Sequence, residues 1–410
     1  MRLSRSFWNL LAVGGTTASR LIGVLILYAL LARMLGPAGF GEFTYWYTVG
    51  IVLGALSDYG FGQQILIRLS ADSPEKIKQE GERLIVAKLI LVMFFFLAAL
   101  VFAIYQATEP ESLYWIVSLM FSCACATLIE FFGVMLRARA QYENEALRSF
   151  LATFVASVGA AIVGYFFESL VVVCLVMFFV RLIVLFFQYA AAKNAVKFDG
   201  VFGLMFSIQE PLETLRNGFK YGADAGAGQL LSNIDVLLAK YLLTSESAGI
   251  YMAGNRLVQA ALSGIPVLSN VFIPSLVVRR KNGIRETIPL LRMVVLFVSL
   301  SLVVVLYFGA PYIPGVLFGP RFLALSDFLP IFGVAISLRY LLTLDAFYLA
   351  INDRQIDRAI VQLIMVVISI ICAAYFYHAG GFSGIILAYI MAFVGLIQLA
   401  VYRLLVFLIK

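Results

Sequence analysis

Long apolar runs, separated by short charged or proline- and glycine-rich segments, recur along almost the whole of this 410-residue chain. A transmembrane helix needs about 20 apolar residues, so runs of this length predict membrane spans. Hydrophobic residues make up 62% of the chain and charged residues 13%, and that charged share is roughly half that of a soluble domain. The chain therefore belongs in a lipid bilayer, with little left over for a water-soluble domain.

Charged and turn-forming clusters divide the apolar runs into twelve predicted helices. The predicted spans are 7–33, 38–66, 84–106, 112–136, 147–167, 170–192, 217–242, 247–278, 287–308, 323–351, 358–377 and 382–408. Backbone in lipid must satisfy its own hydrogen bonds, and the sequence lacks the alternating pattern of a transmembrane barrel. We therefore predict an all-α integral membrane protein.

Basic residues are distributed unequally between the two sides of this arrangement. With both termini on one side, 22 of the 30 lysines and arginines fall in loops and span ends on that side, and three fall on the other. Basic loops stay in the cytoplasm, so this imbalance predicts cytoplasmic N and C termini. The same scattered clusters account for the net charge of +7, and we exclude nucleic acid as a partner.

The two halves of the chain resemble each other weakly. Residues 32–33, which end the first span, correspond to residues 239–240, which end the seventh. Parallel repeats of this kind form two lobes related by an axis along the membrane normal. We predict an N-terminal lobe over 1–193, a cytoplasmic interfacial linker over 194–216 and a C-terminal lobe over 217–410.

Ionisable residues also occur inside the predicted spans. A charge at a helix centre costs at least ~2.5 kcal/mol in lipid, so these residues are expected to face a protein interior or a water-filled cavity. The arginines of spans one, six, eight and ten are Arg20, Arg181, Arg256 and Arg339. The acids at comparable depth are Asp58, Glu130, Asp224, Asp235 and Asp345.

Helical spacing places polar residues in line with two of these arginines. Asn9 shares a stripe of the first span with Arg20, and Gln259 shares a stripe of the eighth with Arg256. Arginine can bind phosphate oxygens through two donors, so the set favours a cationic cavity for an anionic ligand. The predicted substrate-binding residues are Arg20, Arg256, Arg181, Arg339, Asn9 and Gln259.

The buried acids are predicted to act in gating, ion pairing or ion coupling. For any single arginine, a structural ion pair is an equally good interpretation, for instance Arg20 with Asp58 or Arg256 with Asp235. The four cysteines lie in apolar runs and the chain has one histidine, so the sequence suggests no disulfide framework, metal centre or cofactor.

The opening of the chain carries a family resemblance. The segment 31–43, LARMLGPAGFGEF, followed by 56–62, LSDYGFG, and then by Arg68, resembles the Wzx-type polysaccharide flippases of the multidrug/oligosaccharidyl-lipid/polysaccharide exporter superfamily. The resemblance implies a MATE-like fold of two pseudo-symmetric six-helix lobes. It also implies a flippase that moves polyprenyl-pyrophosphate-linked oligosaccharide outward across the bacterial inner membrane, for O-antigen or exopolysaccharide biosynthesis.

In such a protein Arg20 and Arg256 would face the pyrophosphate of the substrate. Membrane lipid would surround the protein. A polysaccharide polymerase and a chain-length regulator are the further partners that the resemblance implies. Rocking of two lobes about a central site gives alternating access. Because no bond is made or broken, no enzyme activity is expected.

Three other functions stay open at this point. A cation-coupled multidrug exporter of the same superfamily would use buried carboxylates such as Asp224, Asp235 or Glu130. A membrane polysaccharide polymerase or ligase is disfavoured because the external loops are short. A membrane scaffold without transport is disfavoured because it leaves the buried charges unexplained.

Overall fold

The protein is helical throughout the part of the chain that the computed structural model describes. The described residues are 2–62, 65, 74–106, 110–139, 141–198, 209–265 and 289–409. Within these ranges, the structure describes only the backbone of 2–20, 74–77, 142–144, 209–211, 289–291 and 409. These described residues contain no β-strand, and the predicted all-α fold is confirmed.

Thirteen α-helices follow one another along the described chain. They are α1 (Arg2–Asp58), α2 (Pro74–Gln106), α3 (Pro110–Ala138), α4 (Tyr142–Phe150), α5 (Ala156–Phe167), α6 (Leu170–Val196), α7 (Gln209–Leu242), α8 (Ser245–Leu262), α9 (Pro289–Gly309), α10 (Ile313–Leu317), α11 (Leu329–Ile351), α12 (Gln355–His378) and α13 (Gly384–Ile409). A π-helical turn, Leu151–Val155, joins α4 to α5. A 3-10 segment, Pro320–Asp327, precedes α11.

Each of the twelve predicted spans coincides with helical residues. Nine helices of the described chain are long and apolar enough to cross a membrane. The nine include α1, which contains two predicted spans. The seventh predicted span coincides with α7 and the eighth begins in α8, and neither helix is among the nine. Residues 266–278 of the predicted eighth span lie outside the described residues.

The two predicted spans inside α1 are joined by a kink at one residue. Gly36 has φ 67° and ψ 179°, and Pro37 begins the second helical half directly after it. Proline suits a first helical position because its fixed φ is helical and its missing N–H is not needed there. The gap between the two predicted spans, residues 34–37, therefore contains a break at the single residue Gly36.

The second predicted span, 38–66, is interrupted near its C-terminal end. Helix α1 stops at Asp58, because Tyr59 and Gly60 adopt left-handed conformations with φ 46° and 66°. Two successive residues in this region cannot continue a right-handed helix, and helical residues resume at Phe61, Gly62 and Ile65. Asp58 therefore lies at a helix end inside the predicted span, and its depth in the membrane stays a prediction.

The chain forms two compact units. The first contains Met1–Met34 and Trp46–Gln229, and the second contains Leu35–Tyr45 and Leu230–Lys410. This division differs from the predicted lobes in two ways. The short segment Leu35–Tyr45 belongs with the C-terminal helices, and the first part of α7 belongs with the N-terminal helices. The interfacial role of residues 194–216 stays a prediction.

Each unit has an apolar core of its own. In the first, Phe61 and Phe131 are fully buried in one cluster, and in the second, Tyr402 and Leu349 are fully buried in another. Large apolar side chains such as Phe407 are also exposed on the outside. Helices that are apolar both inward and outward are typical of membrane spans.

Candidate functional site

Polar side chains of α7, α8 and α11 meet around a small cavity in the second unit. The cavity has a volume of about 30 Å³, and its lining includes Ser232, Asp235, Asn255, Gln259 and Arg339. A space of this size holds about one water molecule. Three sequence-predicted residues, Asp235, Gln259 and Arg339, are thus brought together from three helices.

Arg339 is held by neutral acceptors. Its Nη1 donates to the Ser232 hydroxyl at 2.8 Å and its Nη2 donates to the Leu231 carbonyl at 3.4 Å. Gln259 Nε2 donates to the Ser232 carbonyl at 3.0 Å, so α7 anchors both side chains. Among the described residues, no carboxylate lies within ion-pair distance of Arg339.

Asp235 makes hydrogen bonds with one of its two carboxylate oxygens. Its Oδ2 accepts from the Tyr251 hydroxyl at 2.9 Å and from Asn255 Nδ2 at 2.7 Å. Within the described chain, Asp235 Oδ1 and Asn255 Oδ1 are buried and have no hydrogen-bond partner. Buried acceptors without a donor are costly in a low-dielectric interior. The alternative ion pair of Asp235 with Arg256 is not formed.

Arg256 extends this polar region towards the segment Leu35–Tyr45. The residue is 4% exposed, and its Nη2 donates to the Thr44 carbonyl at 3.1 Å. Two turns earlier on α8, a Cβ atom added at Gly249 would overlap the Pro37 carbonyl oxygen. The absence of a side chain at Gly249 therefore lets α8 approach the segment closely enough for Arg256 to reach Thr44.

Arg181 lies in the first unit, bonded to three different elements. Its Nη1 donates to the Ser122 hydroxyl at 3.0 Å, and its Nε donates to the Ala152 carbonyl of the π-helical turn at 3.4 Å. A hydrogen bond with the Tyr47 side chain adds α1 to this set. No described carboxylate lies within ion-pair distance, so Arg181 joins α3, α6, α1 and the π-helical turn through neutral groups.

Lys88 is a buried cation that the sequence analysis missed. It is fully buried in α2 and donates to Asp58 at 3.1 Å and to Thr127 at 2.9 Å. Asp58 therefore has a lysine partner. Lys88 lies within a long apolar run that predicts a membrane span. The lysines inside predicted spans, considered in the same way as the arginines, would have included it.

The other predicted acids have different surroundings. Glu130 is exposed and forms an ion pair with Arg137, and Asp345 lies 3.6 Å from Arg403. Asp224 is buried on α7 but belongs to the first unit, whereas Asp235 on the same helix belongs to the second. The gating, ion-pairing or coupling roles of Glu130, Asp345 and Asp224 stay predictions.

Two predicted substrate-binding residues cannot be placed. Arg20 and Asn9 belong to α1, but their side chains lie outside the described residues. Their contribution to a binding site stays a prediction. In the described part of the chain, no cluster of histidine, cysteine, aspartate and glutamate has the size of a metal site.

A family model described as "Polysaccharide biosynthesis protein" matches residues 7–279, about two thirds of the chain. The chain belongs to this family. No curated protein matches it. The sequence-based assignment is thus confirmed at the level of the family.

Solved transporter structures share the fold. The lipid II flippase MurJ in an inward closed conformation has a TM-score of 0.75 at 14% identity, with 97% of this chain and 87% of that chain covered. A mutant of the Vibrio cholerae MATE transporter VcmN has a TM-score of 0.62 at 15% identity, covering 98% and 97%. A MOP superfamily transporter from Pyrococcus furiosus has a TM-score of 0.60 at 12% identity, covering 97% and 94%. The predicted MATE-like fold is confirmed.

Proposed function

We propose that this protein is a flippase that moves polyprenyl-pyrophosphate-linked oligosaccharide across the bacterial inner membrane by alternating access. Family membership associates the chain with polysaccharide biosynthesis, and a protein of similar fold is named a lipid II flippase. The observation that carries the substrate class is the pair of arginines in the second unit. Arg256 donates to a main-chain carbonyl and Arg339 donates to a hydroxyl.

The chemistry of these two arginines suits a pyrophosphate. Guanidinium keeps its charge at any physiological pH and offers two parallel donors to phosphate oxygens. The Ser232 hydroxyl to which Arg339 donates is a weaker partner than an anion, so a phosphate can displace it. Asn255 and Gln259 lie beside Arg339 on the same cavity and offer amide groups to sugar hydroxyls.

The small size of the cavity fits a cycle in which the site opens and closes. A volume of about 30 Å³ is far below that of a pyrophosphate with its sugars, so the helices around it must separate for the ligand to bind. The polyprenyl tail stays in lipid throughout. Because pyrophosphate is negative, a cell interior held negative favours its outward movement by about 2.3 kcal/mol per charge per 100 mV.

The proposed orientation places both termini in the cytoplasm, from the imbalance of basic residues. Reporter domains fused after Ser73, Glu143, Val201 and Asn282 are expected to read cytoplasmic, and those fused after Thr108 and Gly380 to read periplasmic. A periplasmic signal at Asn282, which lies in the most basic loop, would overturn the twelve-span arrangement. Association with a polymerase and a chain-length regulator stays a prediction.

The direct test is transport by the purified protein in proteoliposomes. Fluorescent polyprenyl-pyrophosphate-linked oligosaccharide is expected to reach the opposite leaflet much faster than in protein-free vesicles, as measured by a membrane-impermeant quencher. A matched lipid without the pyrophosphate should not be moved. Equal rates for the two lipids would remove the proposed role of the arginines.

A cation-coupled multidrug exporter is the second candidate, because of one observation. Asp235 Oδ1 and Asn255 Oδ1 are two buried oxygens without a donor beside the same cavity, and oxygens of this kind bind protons or hard cations. Transport of a fluorescent organic cation, driven by an imposed sodium or proton gradient, would favour this function over the first.

A further inference from the structure

The Lys88 ammonium group ties the end of α1 to two other helices of the first unit. Its three N–H donors point to Asp58 at 3.1 Å, to Thr127 at 2.9 Å and, more weakly, to the Ser57 hydroxyl at 3.5 Å. Lysine has three donors and no acceptor, so its hydrogen bonding is complete. Lys88 therefore has no capacity left for a ligand, and two of its three contacts are with the end of α1.

The end of α1 in turn lies directly against α7. After Asp58, the left-handed residues Tyr59 and Gly60 turn the chain. A Cβ atom added at Gly60 would lie 2.5 Å from Tyr221 Cβ, and one added at Gly222 would lie 2.7 Å from the Tyr59 ring. The turn and α7 thus interlock through two glycines, one on each side of the contact.

The helix that the Tyr59–Gly60 turn contacts is α7, which has residues in both units. Residues of α7 up to Gln229 belong to the first unit, and residues from Leu230 onward belong to the second. The same helix carries Ser232 and Asp235 of the candidate site. Any contact that holds the first part of α7 therefore acts on the helix that bears part of the site.

We propose that Lys88 is a positioning residue for α7, which holds the Tyr59–Gly60 turn against Tyr221 and Gly222 through Asp58. The contact stabilises the state in which the first part of α7 packs with the first unit, and the transport cycle must release it. Asp58 is suited to this because 37% of its side chain is exposed, so water can solvate it when the contact opens. This inference rests on the proposed function.

The contact can be measured without any substrate by a cysteine pair. Leu56→Cys and Gly226→Cys are introduced after the four native cysteines are replaced by alanine. A Cβ atom at Gly226 would lie 3.0 Å from Leu56 Cδ2, and Leu56→Cys removes that methyl group. The rate of disulfide formation in the full-length protein in nanodiscs then reports how often α1 and α7 are in contact.

In this background Lys88→Met is expected to lower the cross-linking rate roughly five- to tenfold, by shifting the population away from the contact. Thr127 and Ser57 still donate to the Gly54 carbonyl in that variant, so no buried hydroxyl loses all its partners. Arg83→Met is the matched control, because Arg83 lies on the same helix in a partly exposed ion pair with Glu80. Its rate should stay within about twofold of the parent.

Two further variants keep the test decisive if Lys88→Met does not accumulate. Asp58→Asn removes the charge that Lys88 holds but leaves the Lys88–Thr127 bond. Gly222→Ala pushes the Tyr59 ring away, and Tyr59→Ala should restore cross-linking in that background. Unchanged cross-linking in both Asp58→Asn and Gly222→Ala overturns the proposal. Lower thermal stability with unchanged cross-linking also overturns it, because that is the signature of a merely structural lysine.

The transport assay separates this inference from the proposed function. Lys88→Met is expected to lower the maximal rate of lipid transport about tenfold and to change the apparent KM less than about threefold, because Lys88 does not touch the site. If the parent moved no lipid-linked oligosaccharide but cross-linking responded as described, the proposed substrate would be wrong and the role of Lys88 would stand. A KM effect as large as the rate effect would contradict the positioning role.

Discussion

Lys88 in the first unit and Arg339 in the second are both cations inside helices of a membrane protein, but their partners differ. Lys88 is fully buried and has a carboxylate at 3.1 Å. Arg339 donates to a hydroxyl and a carbonyl beside a cavity. A cation with a carboxylate partner holds helices together, whereas a cation with neutral partners keeps its charge available to an anion.

The same contrast extends to the acids of the two units. In the first unit, Arg137 lies between Glu130 and Glu145 and donates to both. In the second unit, Asp235 and Asn255 each keep one buried oxygen without a donor. Unsatisfied polar groups are retained at functional sites more readily than in a structural core. Because the Gln188 amide of the first unit is also buried without a partner among the described residues, the proposed substrate contacts in the second unit rest on Arg256 and Arg339 and not on unsatisfied oxygens alone.

The largest effect is expected at Arg256. Arg256→Ala should lower the rate of lipid transport by at least roughly 100-fold, because two hydrogen bonds from a charged group to the pyrophosphate are each worth about 1.5–3 kcal/mol. Arg256→Lys should retain part of the activity, since the charge survives and the paired donors do not. Export of surface polysaccharide in cells and transport in proteoliposomes both measure this.

The matched control is Arg354→Ala, because Arg354 is exposed and pairs with Asp357 one turn away. Normal transport by Arg256→Ala would return this arginine to a structural role. Loss of the protein from the membrane would have the same meaning, because it indicates that the Thr44 contact supports the fold.

Arg339→Met sharpens the comparison with Lys88. The change should lower transport about 10- to 100-fold and lower the free energy of unfolding by only about 1–3 kcal/mol, since the groups that lose a donor, the Ser232 hydroxyl and the Leu231 carbonyl, are neutral. Thermal unfolding monitored together with transport measures both quantities. A large loss of stability with normal transport would mean that Arg339, like Lys88, serves to hold helices.

The helices could be predicted from the sequence because span length is set by the thickness of the bilayer, and runs such as 84–106 satisfy it without reference to tertiary structure. The end of α1 could not, because the left-handed Tyr59–Gly60 turn packs on Tyr221 and Gly222 of α7, and the local sequence does not contain that tertiary contact. The ion-pair partner of Asp58 could not be predicted from the sequence either. Pairing depends on which helices are adjacent, and spacing within one helix does not contain that information.

The candidate site shows the same boundary between local and tertiary information. Asp235, Gln259 and Arg339 were found because each is a polar residue in an apolar run. Tyr251 and Asn255 were not found, although they supply both hydrogen bonds to Asp235. The segment Leu35–Tyr45 joins the second unit through the contact of Pro37 with Gly249, and that contact is tertiary information.

Gly249→Ala tests the closest approach within the second unit. The added methyl group overlaps the Pro37 carbonyl, and overpacking of this kind costs about 1–3 kcal/mol. We expect a lower midpoint of thermal unfolding and a severalfold lower transport rate, because Arg256 loses its approach to Thr44. Gly395→Ala is the control, since a Cβ atom there would make an ordinary 3.7 Å contact with Leu338.

A normal melting temperature and normal transport in Gly249→Ala would show that the segment Leu35–Tyr45 can move away from α8 at little cost. The contrast with the first unit would then become sharper, because Gly222→Ala is expected to disturb the α1–α7 contact there. Gly249→Ala therefore tests how firmly the segment Leu35–Tyr45 packs on α8 in the second unit. Gly222→Ala tests how firmly the end of α1 packs on α7 in the first.

The smallest effect on the transport rate is expected for Asp235→Asn, because we propose that the membrane potential drives transport. A potassium–valinomycin potential of physiological sign should raise the transport rate without a pH or sodium gradient, because two pyrophosphate charges gain roughly 4 to 5 kcal/mol per 100 mV. Asp235→Asn keeps the size of the side chain and an acceptor for Tyr251, so its rate should stay within about threefold of the parent and keep its dependence on potential. Asp327→Asn, an exposed carboxylate of the 3-10 segment, is the control for the loss of one negative charge. A parent rate that follows an imposed sodium or proton gradient, together with an inactive Asp235→Asn, would assign the unpaired oxygens at this cavity to cation coupling and make the second unit the site of an antiporter.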